Sequence, residues 1–575
     1  MWLPKPYNKN KEKILTKQGK SRLLARLFSQ REIDPKTVDD FISSEYKGLS
    51  HPHALNDVEK GAKLFCKVAK AKGNVAVIGD YDADGVISSV MIKELCNSFG
   101  LECSVFLPSR LEHGYGLNDK TIEGFMFKNK MLKKTTIDLL FVLDCGTNSR
   151  DEIQLLMDNG VKEVIVIDHH LPGETVAYNA SALVSWHLSK DHKEMCACGE
   201  VFQFIRGVRW LTKKVNPTEF LTYAAIGTIA DVSPIVGNNR IIVKNGLTEY
   251  AINHVVASGI KALMRQSKIY SKSITQHDVS FKIAPKINAV GRIFNPDIVY
   301  GLLIERDPDI AKNTAEYVVG YNDERKKIQK KIEEEALGMA RKQNNKDGIL
   351  VIGEDWHIGV VGIVASKLVE TFNKPAIVVG KLKDRWKGSG RSVKGLNIKE
   401  ILDVCPELFE VYGGHSGAVG VTLKPEMVDK ANKIFDKACS KYYLKHSIEG
   451  QDVNHYDAMI DVPLITPETS IVLRNNLYPY CVQHNSEPVF MIPNVTIMDT
   501  SIMARDNWQL LSFFIERDGN RCSHPFKFFT KKFGAEVEGI VADVLFSFPQ
   551  HDNFEATRFS QFELSVTDIV IKDKA

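Results

Sequence analysis

The sequence predicts an α/β protein built from a parallel-sheet domain, a long linking helix, a second and smaller α/β domain, and a C-terminal all-β module. Three observations carry that reading. From about residue 74, near-continuous apolar runs, several of them β-branched, alternate with segments of helical periodicity, as expected of a parallel sheet covered on both faces. After Pro308 a proline-free stretch, strongly charged in its second half, runs to about 343. From about 450 the pattern changes again, to short strand-type runs, which suit a small barrel.

In chain order, residues 1–70 set Ile14, Leu23, Leu24, Leu27, Phe28, Val38, Phe41 and Ile42 at helical spacing among charges, with Pro35 opening a new segment. They read as a helical lead-in. Between 71 and 305, the runs Val75–Ile78, Ile137–Leu143 and Val164–Ile167 read as parallel strands. Residues 306–346 read as the linking helix, with Gly320 as a point where it could break and Gly338 also inside it. The second α/β domain, 347–445, has strands at Ile349–Ile352 and Ala376–Val379. The final module, 450–575, shows strands at Val541–Phe548 and Phe562–Val566.

With 44% hydrophobic and 25% charged residues in 575, fibrous and largely disordered classes are excluded. Lys plus Arg is 75 against 71 for Asp plus Glu, a net charge of +4, so any basic surface is a local groove and not a global field. Ten cysteines are scattered, and the close pair Cys196 and Cys198 has no second pair to complete a zinc site. They read as reduced thiols, and the expected location is cytoplasmic. The N-terminus lacks a signal-peptide core, and apolar stretches such as Ile358–Val369 are too short to span a bilayer, so no membrane partner is expected.

The chemistry concentrates in four clusters. Asp80-Tyr81-Asp82-Ala83-Asp84-Gly85, Asp144-Cys145-Gly146 and Asp168-His169-His170 each follow a predicted strand, and Asp231 ends Gly227-Thr228-Ile229-Ala230-Asp231. Strand ends of an open parallel sheet face one crevice, so these groups can converge. Carboxylates this dense repel one another unless a cation neutralises them. Carboxylates with imidazole suit Mn²⁺ or Mg²⁺, and their number favours two ions sharing a bridging Asp, the arrangement used in phosphoryl transfer.

In their order, these motifs resemble those of the DHH phosphoesterase superfamily and, within it, the RecJ single-strand-specific exonucleases. The resemblance continues through Ala284–Arg292, Asn322 and Arg325, Trp356–Ser366, Gly388-Ser389-Gly390-Arg391-Ser392 and Gly413-Gly414-His415. It implies a DHH catalytic domain, a DHH-associated second domain and an OB-like strand-binding module. It implies Asp82, Asp84, Asp144, His169 and Asp231 as metal ligands, with Asp144 bridging, and Asp80 and His170 beside the two ions. Arg110, Ser389 and Arg391 would hold the 5′ phosphate and the strand, a task suited to bidentate guanidinium groups among glycines. Asn288, Arg292, Arg325 and His415 are further substrate-binding candidates.

Tyr115 and Trp386 are candidates for stacking on bases, and Lys527, Lys531 and Lys532 with Phe528, Phe529 and Phe533 for a strand-binding groove. The segment Pro479–Pro488 keeps only part of the glycine-containing turn expected of the family. The resemblance thus implies a two-metal 5′ to 3′ exonuclease on single-stranded DNA, in repair and recombination, with a single-strand-binding protein or a helicase as candidate protein partners. Two other readings compete with it. One is a phosphoesterase of short oligonucleotides or cyclic dinucleotides, the other a non-catalytic replication scaffold.

Overall fold

The computed structural model describes residues 2–132, 136–190, 194–343, 345–446, 454–481, 485–505, 508–530, 538–549 and 562–572. The first domain is built on five strands: β1 (Val75–Gly79), β2 (Cys103–Phe106), β3 (Leu139–Leu143), β4 (Val164–Ile167) and β5 (Ala182–Val184). All pair in parallel in the order β2-β1-β3-β4-β5. Every residue of these strands is buried, because helices cover both faces and an apolar run has no wet side to alternate toward. The strand order reverses between β1 and β3, so the chains leaving these two strands diverge and open a crevice. Strand β3 starts at Leu139 and not at Ile137, because the Asp138 carboxylate is turned to accept the Asn74 N–H at 2.7 Å.

Five helices position the crevice and join the domains: α1 (Ala83–Ser98), α2 (Ala197–Thr212), α3 (Thr218–Ala230), α4 (Ala284–Ile293) and α5 (Pro308–Arg341). Helix α5 has 34 residues, about 51 Å at 1.5 Å per residue. It continues through Gly320 and Gly338, where a Cβ would meet open space. The second domain pairs β6 (Ile349–Gly353), β7 (Ala376–Leu382), β8 (Arg385–Arg391), β9 (Phe409–Gly414) and β10 (Ala418–Leu423) in the order β9-β10-β8-β7-β6. Only β6 and β7 are parallel, and α6 (Val361–Phe372) packs on β7 and β8.

In the C-terminal module β11 (Phe490–Arg505), β12 (Trp508–Arg517), β13 (Phe526–Thr530), β14 (Val541–Ser547) and β15 (Leu564–Ile571) close a ring. Strand β11 pairs with β14, β14 with β15, β15 with β13, β13 with β12, and β12 with β11 again. This is a closed five-stranded barrel of OB type, and closure leaves no ring strand with an open edge.

Residues 1–70 are not a separate lead-in. Trp2–Pro4 is a strand paired with Asn454–Tyr456, and Leu15, Leu24, Leu27, Phe28 and Val38 share one apolar core with the barrel. The helix Val58–Lys70 instead packs into the core of the first domain. Helical periodicity shows an apolar face but not the distant sheet that it will cover.

The barrel meets the first domain around Arg240, which is buried. Its guanidinium donates to the carbonyls of Phe41 at 2.9 Å, Leu477 at 3.1 Å, Tyr478 at 2.8 Å and Pro479 at 3.0 Å, and it lies 3.7 Å from the Phe41 ring centre. Asn485, from the Pro479–Pro488 segment, belongs to this seam: it donates to Leu477 and Pro479 and accepts from Arg31. Among the described residues no helix is long and apolar enough to cross a membrane.

Arg240→Met should destabilise the protein by about 3 kcal/mol, because four carbonyls lose their donor. Urea unfolding followed by tryptophan fluorescence checks this, and an unshifted midpoint would show that the seam does not depend on Arg240.

Candidate metal centre and phosphate cradle

The four acidic clusters meet at the reversal of strand order. Asp80 follows β1, Asp144 follows β3, and Asp168, His169 and His170 follow β4. Asp231 comes from the C-terminal cap of α3. The loop carrying Asp80 and Asp82 is compressed against α1: a Cβ at Gly85 would stand 2.6 Å from the Asp80 backbone N and O. Asp82 caps α1, its carboxylate accepting the N–H groups of Asp84 at 3.0 Å and Gly85 at 3.3 Å. Asp144 adopts φ +60°, a left-handed conformation that costs a non-glycine residue strain, of a kind found where a site holds a side chain in place.

His169 Nε2 lies 3.3 Å from Asp144 Oδ1 and 3.9 Å from both Asp84 Oδ2 and Asp231 Oδ1. Donors bound at about 2.1 Å to one cation stand about 3 to 4.2 Å apart, and these three separations fall in that range. Asp80, Asp82 and Asp144 form a neighbouring group whose oxygens lie within 4.8 Å of one another, so Asp144 is common to both. Asp80 Oδ1 is buried with no hydrogen-bond partner among the described residues. Burial, and then Asp82, push the Asp80 carboxyl well above its ordinary range. Burial, and then Asp84 and Asp82, do the same to Asp144. Burial and Asp84 raise Asp231 to about 7. A set of oxygens that resists ionisation by itself, with one left unpaired among the described residues, fits divalent cations.

Asp168 and His170 are spent on each other. Asp168 is buried, accepts the Thr147 N–H at 2.8 Å, and lies 2.6 Å from His170 Nδ1. Burial alone would raise its pKa, but the hydrogen bonds from His170 and Thr147 outweigh that and hold it at about 2. Burial opposes charge on His170 as well, yet Asp168 raises it to about 9. His170 Nε2 meets the Tyr115 hydroxyl at 2.7 Å, so its two ring nitrogens are both engaged.

Beside the acids stands a cluster of arginines. Arg110 lies 5.7 Å from the Tyr81 ring centre. Burial and the charge of Arg110 lower Arg292 to about 10 and lower Arg391 and His357. Arg110 and Arg292 belong to the first domain, His357 and Arg391 to the second, so both domains contribute to one anion-seeking patch. The backbones close in here: a Cβ at Gly291 would stand 2.2 Å from the Tyr81 carbonyl oxygen, and one at Gly359 2.2 Å from that of Arg292. Ser389 is buried and its hydroxyl accepts from Arg391 at 2.8 Å, which aims the guanidinium.

The remaining candidates differ in what they touch. Asn288 is engaged locally, its Oδ1 accepting the Ala83 N–H at 2.8 Å at the start of α1. Arg325 donates to Asn322, and its Nε is buried without a partner among the described residues. His415 is exposed in the β9–β10 turn, beside the end of β8 that carries Arg391. Trp386 does not offer a stacking face: it packs in the core of the second domain, because it is on the covered side of β8. Lys527 is paired with Glu563, and Phe529 is exposed. Lys531, Lys532 and Phe533 lie outside the described residues. Sequence reasoning missed Tyr81 and His357, though both sit inside motifs it singled out, and it gave no separate role to Asp168.

The sequence matches the DHH family, N-terminal domain, over residues 74–228 and the DHHA1 domain over 344–441. The chain thus contains a DHH domain followed by a DHHA1 domain. Similarity to curated proteins extends beyond both matched regions. The single-stranded-DNA-specific exonuclease RecJ of Bacillus subtilis is 30% identical over 507 residues, covering 86% of this chain and 61% of that protein. RecJ of Haemophilus influenzae is 29% identical, with 74% of this chain and 76% of that one aligned. The chain thus spans about three fifths of the first relative and three quarters of the second. Among solved structures, RecJ of Thermus thermophilus in complex with Mn²⁺ superposes on the whole chain and on 79% of its own, with TM-score 0.79 at 23% identity. An exonuclease RecJ bound to manganese matches 68% of this chain and 95% of its own, with TM-score 0.59 at 28% identity.

A cation shared by these carboxylates should stabilise the folded chain. Mn²⁺ at about 100 times its Kd is expected to add about 2.7 kcal/mol, and Asp144→Asn to remove most of that gain while leaving the metal-free protein at least as stable. Calorimetry with Mn²⁺ and with EDTA checks both statements.

Proposed function

We propose that the protein is a metal-dependent exonuclease that releases nucleotides from the 5′ end of single-stranded DNA. The observation that carries the proposal is the pairing of an acidic crevice with an arginine patch supplied by two domains: one side suits divalent cations, the other a phosphate. The RecJ relatives, named single-stranded-DNA-specific exonucleases, and the OB-type barrel support it.

In this reading Asp84, His169, Asp231 and Asp144 would hold one ion, and Asp80, Asp82 and Asp144 the other, as Mn²⁺ or Mg²⁺. When bound, two such ions activate water and stabilise the charge that develops on the phosphate. The chain's own residues do the rest. Asp168 fixes the His170 ring, and His170 holds the Tyr115 hydroxyl at the edge of the crevice. Arg110, Arg292 and Arg391, the last aimed by Ser389, grip phosphate oxygens and set the strand in register with the acids. Asn288 keeps the first turn of α1, and so Asp82 and Asp84, in place. Arg325 and His415 extend the basic surface along the strand, and the exposed Phe529 of the barrel supplies an aromatic face for bases. Such an enzyme would act in cytoplasmic DNA repair and recombination, on strands presented by a single-strand-binding protein or a helicase.

Digestion of single-stranded DNA labelled at either end, in Mn²⁺ or Mg²⁺, tests the proposal. Early release of the 5′ label as mononucleotide, abolished by Asp144→Ala, is the expected result. Arg391→Gln should raise KM for a 5′-phosphorylated strand far more than it lowers kcat, because it removes a contact made before as well as during reaction. Binding without cleavage in either metal would overturn the nuclease reading and favour a scaffold.

A further inference from the structure

Behind the acidic crevice, α2 meets the chain that leaves β5, and Glu200 stands between them. The first backbone N–H groups of α2, those of Ala197 and Cys198, donate to the two carboxylate oxygens of Asp84, each at 2.8 Å. Glu200, in the same first turn, is fully buried. Its Oε1 accepts the backbone N–H of Trp186 at 2.7 Å. Its Oε2 has no hydrogen-bond partner among the described residues. Burial, with Asp168 and Asp84 adding to it, holds this carboxyl well above its ordinary range.

The other side of the tie reaches the histidine motif. Strands β4 and β5 are parallel, with Ile167 opposite Val184, so the chain after β5 runs beside the Asp168-His169-His170 segment. It forms the short turn Trp186–Leu188. There the His187 ring stacks on Trp186 at 3.7 Å and lies against the backbone of His169. Glu200 is therefore bonded to the turn whose next residue lies against His169, and it belongs to the helix whose first amides hold Asp84. A buried carboxyl with one unpaired oxygen is a costly way to fill helix interior, and a leucine would fill the same space without that cost.

We propose that Glu200 is a positioning residue for the cation centre: it ties the Trp186–Leu188 turn to the first turn of α2, so that Asp84 and His169 keep the separation that a shared ion requires. This rests on reading the acidic crevice as a metal site. Groups behind metal ligands commonly set affinity through the orientation they impose.

The test is Mn²⁺ affinity of the full chain, measured by electron paramagnetic resonance, with thermal unfolding in EDTA as the control for folding. Glu200→Gln keeps a neutral group and a carbonyl to accept the Trp186 N–H, and should bind Mn²⁺ as the wild type does. Glu200→Leu keeps the volume but not the acceptor, and should lose about 10- to 100-fold in affinity while still unfolding cooperatively. Unchanged affinity in Glu200→Leu would overturn the proposal, and so would a Gln variant as weak as the Leu variant. Should Glu200→Leu not fold, His187→Ala cuts the same tie at its far end: a weakened Mn²⁺ affinity supports the proposal and an unchanged one overturns it. A wild type that binds no Mn²⁺ would overturn the metal reading itself, and this inference with it.

Discussion

Mutual repulsion among buried carboxylates is the constraint around which the first domain is arranged. Asp80, Asp144 and Asp231 all resist ionisation, and Asp82 and Asp84 stand beside them. The fold keeps them together with rigid means: three strand ends, a strained backbone at Asp144, helix-start amides on Asp84 and a histidine among three carboxylates. Such rigidity is useful only if something of opposite charge arrives, since otherwise the same positions would be more stable with apolar residues.

The arginine patch is the mirror image of this arrangement. Arg110 lowers the pKa values of Arg292 and Arg391 as the acids raise one another's. The two clusters are adjacent but not neutralised by each other, for no Arg–Asp ion pair joins them among the described residues. A molecule carrying negative charge at its end, bridged to cations, satisfies both at once. Because Arg391 and His357 come from the second domain, the spacing between domains sets the geometry of this patch, and α5 fixes that spacing.

Much of this was legible in the sequence because it is local. Buried parallel strands are apolar on both faces, so Val75–Ile78 and Val164–Ile167 stand out, and an acid directly after such a run points into the crevice. The order of the motifs carried the resemblance to the DHH family. What was not legible depends on long-range placement. Periodicity could not show that Leu24 and Phe28 cover a barrel more than four hundred residues away, nor that Trp386 faces the covered side of its strand. Arg240 and Glu200 look like ordinary helical charges, and only burial and partners reveal a seam in one case and a tie in the other. Asp231 sits at a helix end, where an acid could equally be a solvated cap.

The shared core of the two chain ends has a consequence for how the molecule is made. Trp2 donates its indole N–H to Asp568 at 2.6 Å, and Leu15, Leu24 and Phe28 share an apolar core with strands of the barrel. During synthesis residues 15–38 thus emerge long before the strands they pack against, and their apolar face must wait for more than four hundred further residues. The α/β domains, whose contacts are nearer in sequence, can consolidate in the meantime. Completion of the barrel then covers that face, so that a chain stopped short of the barrel strands would leave the apolar surface of residues 15–38 exposed, a mark by which quality control can recognise it.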